Sequence, residues 1–199
     1  MKWNPRVASK ADIPQLNDLI PRSSFALQQD VYSREKTEAA LGPVFGVDVQ
    51  LIEDGTYFVV EDKGKIVGCG GWSFRKSLFG GNDERTEPDP RLDPKVDSAR
   101  VRAFFIDPDY ARQGIGSAIM KECEDALIAM GFAHVEISAT LVGEPLYAKF
   151  GYKSVEHYEI PLEGAKPMDV VKMTKTIKQN QNQVVHSIPS SHSSPTLRE

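Results

Sequence analysis

Two rhythms of hydrophobic and polar positions run along this chain, and their order predicts its elements. Ile13, Leu16, Leu19 and Ile20 recur at helical spacing behind Ser9, with Asp12 three residues after that cap, and predict a first helix over Ser9 to Ile20. Ser33 to Leu41 predicts a short second helix, capped by Ser33 and stopped by Gly42-Pro43. Tyr57 to Glu61 and Ile66 to Cys69 are β-rich runs separated by Asp62-Lys63-Gly64-Lys65, the composition of a tight turn, so an antiparallel hairpin is expected. Gly68, Gly70 and Gly71 interrupt the second run, which points to a bulge or to a place where another group approaches the backbone.

From Arg75 to Ser98 neither rhythm persists, and glycines, prolines and charges predict a long loop, either a substrate cover or a surface excursion. Order then returns. Ala99 to Ile106 reads as a strand ending at Asp107-Pro108, and Ser117 to Met130 as a helix with one apolar stripe closed by Gly131. His134 to Thr140 is a strand and Glu144 to Phe150 a short helix with Pro145 in its first turn. Tyr152 to Ile160 and Met168 to Thr176 are the last strands. Beyond Ile177 the chain turns polar, and residues 178–199 are expected to be a disordered tail following one domain over residues 1–177.

Composition narrows the class. With 199 residues and 40% hydrophobic content the chain suits one globular core and one site. The formal charge of -4 argues against nucleic acid as a partner. No apolar run of about 18 residues and no apolar leader after Met1 are present, so a cytoplasmic protein without membrane association is expected. Cys69 and Cys123 fall in apolar patterns without metal-ligand spacing, so both read as reduced core residues and no metal is expected.

Candidate chemistry concentrates between Val101 and Met130, where a strand, a turn with two glycines and an amphipathic helix follow one another. A helix start at Gly114-Ile115-Gly116-Ser117 offers unpaired amides and a partial positive charge, and Arg112 adds a cation, so a phosphate-bearing ligand fits. Ser117-Ala118 after Gly116 excludes the nucleotide-hydrolase phosphate loop, which needs Lys followed by Ser or Thr. Ile119 stands where a dinucleotide fingerprint has its third small residue, leaving that reading remote. A glycine-rich turn without a ligand remains the plain alternative.

The stretch Ile106 to Met120 resembles the acetyl-coenzyme A binding motif of the GNAT superfamily of N-acetyltransferases, in which Gln or Arg, two variable residues, Gly, one residue, and Gly or Ala follow in order. Gly114 and Gly116 match, Ala111 departs from the Gln/Arg position, and Arg112 stands one residue later. Leu146 to Tyr152 is similar to the family's later motif, a helical tyrosine followed by glycine and an aromatic.

The resemblance covers roughly residues 5–177. It implies an α/β (α+β) fold, a mixed and mostly antiparallel sheet of about seven strands flanked by helices and splayed at the cofactor cleft. It implies acetyl-CoA as co-substrate, bound by Phe105, Ile106, Arg112, Gln113, Gly114, Ile115, Gly116 and Ser117. The Phe104 backbone N–H is implied as the oxyanion donor and Tyr147 as the general acid.

A small-molecule amine is the expected acceptor, with a protein N-terminus or lysine, or non-catalytic acyl-CoA binding, as alternatives. Oligomers, homodimers among them, are common in the family. Trp72, with Phe74, is a candidate wall of the acceptor pocket, and Arg102, with Arg100, a candidate partner for an acceptor carboxylate. Glu136, His134 and Glu61 are the candidate bases, and the loop acids Asp83, Glu84, Glu87 and Asp89 a candidate lure for a cationic amine.

Overall fold

A computed structural model describes residues 2–77 and 88–177. Its seven strands form one sheet: β1 (Arg6–Val7), β2 (Tyr57–Asp62), β3 (Lys65–Ser73), β4 (Ala99–Ile106), β5 (His134–Thr140), β6 (Lys153–Ile160) and β7 (Met168–Thr176). They lie in the order β1-β2-β3-β4-β5-β7-β6, and every pairing is antiparallel except β4 with β5. The helices are α1 (Ile13–Gln28), α2 (Arg34–Ala40), α3 (Val49–Glu53), α4 (Ile115–Ala129) and α5 (Glu144–Lys149).

Each face of the sheet buries one core. On one side α4 sets Ile115, Ile119, Met120, Cys123 and Leu127 against Val67, Val101, Val135 and Ile137. On the other, α1 and α3 set Leu16, Leu19, Ile20 and Leu51 against Tyr57, Val59, Ile66 and Phe105. Each such side chain taken from water contributes roughly 1.5–3 kcal/mol.

The β2–β3 hairpin closes as its turn residues require, with Lys63 and Gly64 both in the left-handed region at φ 50° and 80°. Helix α1 differs from expectation. It passes through Pro21 and runs eight residues beyond Ile20, to Gln28. Its second half turns Ser23, Ser24 and Gln28 inward, and polar residues on the buried face hide the helical rhythm. Strand β1 and helix α3, two and five residues long, carry too few positions to set a rhythm of their own.

The positioning feature is the one parallel pair. Strands β4 and β5 are in register at only three places, Ala99 with Val135, Arg100 with Glu136 and Val101 with Ile137. Strand β4 continues five residues past its last pairing and β5 three, so the sheet opens between them into a V. The base of the long loop is tied down: Arg75 faces Arg91 across an isolated bridge, and its guanidinium binds Asp54 at 2.7 Å. Residues 78–87, with Asp83, Glu84 and Glu87, and residues 178–199, expected as a tail, lie outside the described residues.

Candidate active site

A cavity of about 580 Å³ occupies the V, walled by the unpaired part of β4, the turn before α4, α5, and the helix α1 side of the sheet. Strand β4 reaches it through a bulge. Gly71 pairs with Arg102 and Cys69 with Phe105, so Ala103 and Phe104 together oppose the single residue Gly70 and have no ladder partner. Ala103 takes the left-handed conformation there, at φ 61°. A Cβ on Gly70 would stand 2.6 Å from the Phe104 ring, and one on Gly68 would stand 2.4 Å from Ile115, so these glycines let β4 and α4 close onto β3.

The turn before α4 has a geometry that suits an anion. Arg112 and Gly114 are left-handed, at φ 61° and 90°, which folds the chain back into the helix start. The first backbone bond there runs from Ala118 N–H to Gly114 O at 3.0 Å. The amides of Ile115, Gly116 and Ser117 therefore lie in the turn that a helix leaves unsatisfied, and all three residues line the cavity. A Cβ on Gly116 would stand 3.0 Å from Leu146, so the small residue keeps α5 close to the turn.

This turn is anchored from outside. Trp3 Nε1 donates to Gln113 O at 2.9 Å and its ring meets Tyr110 edge-on. Asp107, fully buried, accepts from Lys65 and Arg22 at 2.7 and 2.5 Å and caps the Asp109 amide. Burial pushes its carboxyl up, but the two cations prevail and hold it below the ordinary aspartate value.

Tyr147 comes from α5, is 6% exposed, and lines the cavity with its ring edge-on to Phe104 at 5.9 Å. Burial, with Cys123 nearby, raises its phenol above the ordinary value, so it holds its proton at neutral pH. Phe105 packs its ring on Phe45 while bordering the cavity. The Ile106 amide, on the open edge of β4, donates to Ser23 Oγ of α1 at 3.0 Å.

Of the residues singled out in the sequence, Phe104, Phe105, Ile106, Arg112, Gly114, Ile115, Gly116, Ser117, Tyr147 and Arg102 border one cavity. Gln113 does not. Its side chain donates to Asp109 O and accepts from Lys2, so it braces the turn. Trp72 does not border the cavity either: it is 3% exposed on the α4 side of the sheet, edge-on to Phe74 and Phe132, a packing residue.

Arg102 borders the cavity, yet its Nε binds buried Asp48 at 2.7 Å, which matches its charge. Arg100 pairs with Glu136, and Lys172 reaches the same carboxylate at 3.5 Å. Glu61 pairs with Arg6, and His134 sits exposed at the start of β5 beside Thr176. None of these three candidate bases borders the cavity, and among the described residues no carboxylate does. The charged residues along it are Arg102, Arg112 and Lys149.

One side of the cavity, with Leu27, Val44, Phe45, Ile160 and Val170, is apolar and was not legible. It is assembled from α1, the segment after α2, and β6 and β7, none of which carries a motif. Among the described residues no cluster of possible metal ligands occurs, and no helix is long and apolar enough to cross a membrane.

Comparison with known proteins follows the same lines. The family model described as an acetyltransferase (GNAT) domain matches residues 53–154. A curated relative, an uncharacterized N-acetyltransferase named YafP from Escherichia coli (strain K12), is 23% identical over 65 residues, 33% of this chain. The matched stretch spans 40% of that relative's length. Among solved structures, a GCN5-related N-acetyltransferase from Rhodopseudomonas palustris is similar with a TM-score of 0.66 at 18% identity, over 89% of this chain and 97% of that one. The PaiA N-acetyltransferase from Thermoplasma acidophilum, solved in complex with coenzyme A, gives 0.62 at 16% identity, over 89% and 100%. The ribosomal-protein-S18-alanine N-acetyltransferase from Escherichia coli gives 0.54 at 17%, over 92% and 99%. These likenesses show a shared fold.

Proposed function

The chain belongs to the GNAT acetyltransferase family, and from that premise we propose that it transfers an acetyl group from acetyl-CoA to the amine of a small acceptor by direct attack within the cleft. The observation that carries this reading is the convergence on one cavity of a helix start, the bulge at Phe104 and a buried phenol. The residues fit the cofactor. The amides of Ile115, Gly116 and Ser117 with Arg112 suit a diphosphate, and the open β4 edge suits the amide groups of a pantetheine arm.

Acetyl-CoA supplies an acetyl group activated as a thioester. The Phe104 N–H, on the bulge of β4, meets the negative charge that builds on the carbonyl oxygen. Tyr147, kept protonated by burial, gives its proton to the departing sulfur, and the proton the nitrogen sheds as the amide forms restores the phenol. No described carboxylate borders the cavity to take a proton from the amine. The apolar wall of Leu27, Val44, Phe45, Ile160 and Val170 instead favours the amine that has left its proton in water, because a low-dielectric site disfavours an ammonium and lowers its pKa.

An amine that already loses its proton easily suits such a wall. α-Amines titrate near 7.7–8.0, against about 10.4 for a lysine-type amine. That value belongs to an α-amine whose carboxyl is tied up in an amide, so the acceptor class is a small amino-acid amide or a similarly weak amine with an apolar body. No described carboxylate favours a polycation along this wall.

The test is thiol release from acetyl-CoA with apolar amino acids and their amides, polyamines, and short peptides. Amino-acid amides or similarly weak amines are expected to lead, and Tyr147→Phe to lower kcat more than cofactor affinity. Peptides leading would move the acceptor to a protein N-terminus or lysine. Tight CoA binding without transfer to any amine would make the protein an acyl-CoA binder.

A further inference from the structure

We infer that Tyr57, buried on the far side of β4 from the reacting groups, is the positioning residue that aims the Phe104 amide into the cleft. The inference rests on the proposed role of that amide and adds what holds it in place. Tyr57 opens β2 and is fully buried, and its hydroxyl lies 3.2 Å from Ala103 O and 3.2 Å from Cys69 Sγ. A carbonyl oxygen only accepts, so Ala103 takes its near donor from the phenol at 3.2 Å, while the Cys69 thiol, a weak donor, reaches the same oxygen only at 4.0 Å.

The Ala103 carbonyl and the Phe104 N–H belong to one peptide unit, and the chain has no cis peptide bonds among the described residues. In a trans unit the two groups point in opposite directions. Holding the carbonyl at Tyr57 therefore turns the N–H away from Tyr57, on the peptide that both cavity-lining residues share.

An outside tether is needed here for two reasons. Ala103 and Phe104 have no ladder partner to fix the rotation of their peptide. Ala103 also sits at φ 61°, a conformation that costs a non-glycine residue about 1–3 kcal/mol and persists only where surrounding contacts impose it. Donation into the carbonyl further polarises the same peptide and strengthens its N–H as a donor. Burial keeps the Tyr57 phenol protonated, its pKa raised well above the ordinary value.

The test combines turnover with the infrared stretch of acetyl-CoA labelled with ¹³C at the thioester carbonyl. In the wild-type protein that stretch is expected to move to lower wavenumber on binding. Tyr57→Phe is expected to return it toward higher wavenumber and to lower kcat about ten- to fifty-fold, less than the 10²–10³ of deleting an oxyanion donor outright. The Kd for CoA should stay within about twofold, since the anion turn is untouched. Cys69→Ala loosens the same buried spot but leaves the phenol free to serve Ala103, and is expected to keep the wild-type stretch and kcat. If Tyr57→Phe does not accumulate, 3-fluorotyrosine placed at position 57, a stronger donor of nearly the same size, is expected to lower the stretch further.

A wild-type downshift left unchanged by Tyr57→Phe or by the fluorinated residue would overturn the role of Tyr57 alone. So would a loss of kcat in Cys69→Ala equal to that in Tyr57→Phe. No downshift in the wild-type protein would overturn the use of the Phe104 amide itself.

Discussion

Gly70→Ala isolates the link between the bulge and the chemistry with a single methyl group. Gly70 does not lie in the left-handed region, so alanine meets no backbone penalty and its whole effect is steric. The new Cβ would stand 2.6, 2.7 and 2.8 Å from Cδ2, Cγ and Cε2 of Phe104. Carbon atoms pack at about 3.5–4.0 Å, so the ring must retreat by roughly 1 Å. Cγ is joined directly to Cβ, so rotating the far end of the ring does not relieve the clash. Tyr147 stands edge-on to that ring at 5.9 Å, so retreat disturbs either the bulge backbone or the Tyr147 phenol.

Overpacking of this kind costs about 1–3 kcal/mol of stability, and a misplacement of about 1 Å at a reacting group costs on the order of 10²-fold in rate. The assay is steady-state thiol release alongside a thermal melt and CoA calorimetry. The expected outcome is kcat reduced on the order of 10²-fold, a lowered Tm, and a nearly unchanged Kd for CoA. A kcat within about twofold of wild type, with the methyl tolerated and the fold intact, would refute the coupling of ring position to amide position.

Three further outcomes follow from the turn before α4. Trp3→Ala removes the bond to Gln113 O and the contact with Tyr110, and loss of about 1 kcal/mol of bracing should weaken CoA binding by about fivefold in calorimetry, with little change in kcat. Gly116→Ala crowds the flexible end of Leu146, at 3.0 Å, and should likewise appear in the CoA Kd before it appears in kcat. Asp107 is held below its ordinary pKa in the folded protein, so its contribution to stability is present above about pH 4, the unfolded value, and is lost as pH falls through the folded value. Asp107→Asn should lower stability at pH 7 by about 2–4 kcal/mol, somewhat under a fully enclosed pair because Lys65 and Arg22 are each 46% exposed. Its melting temperature should then vary less than the wild type's below pH 4.

The fold was legible wherever one rhythm ran long enough. Strands β4, β5 and β7 begin and end where alternation does, and α4 follows its apolar stripe. The turn side of the cavity was legible too, because it is built from contiguous residues between Ile106 and Ser117. The apolar side was not, since Leu27, Phe45, Ile160 and Val170 are far apart in the chain and meet only through the topology.

Trp72 shows how a residue type misleads: a large aromatic after a glycine run suits a pocket wall or a core equally well, and the face of β3 that carries it turns toward α4. Arg102 shows the same for charge, because its partner Asp48 lies 54 residues away and no spacing joins them. Tyr57 read only as a strand residue, since its one bond to the bulge depends on a register the sequence does not state.

The central claim is that coenzyme A lies in the opening between β4 and β5 with its diphosphate on the amides before α4. Titration of the ¹⁵N-labelled protein with CoA, followed by amide chemical shifts, tests it most directly. The largest shifts are expected at Gly114, Ile115, Gly116 and Ser117, with Phe104 responding when acetyl-CoA replaces CoA. Shifts clustered away from that turn, or none at saturating cofactor, would contradict it.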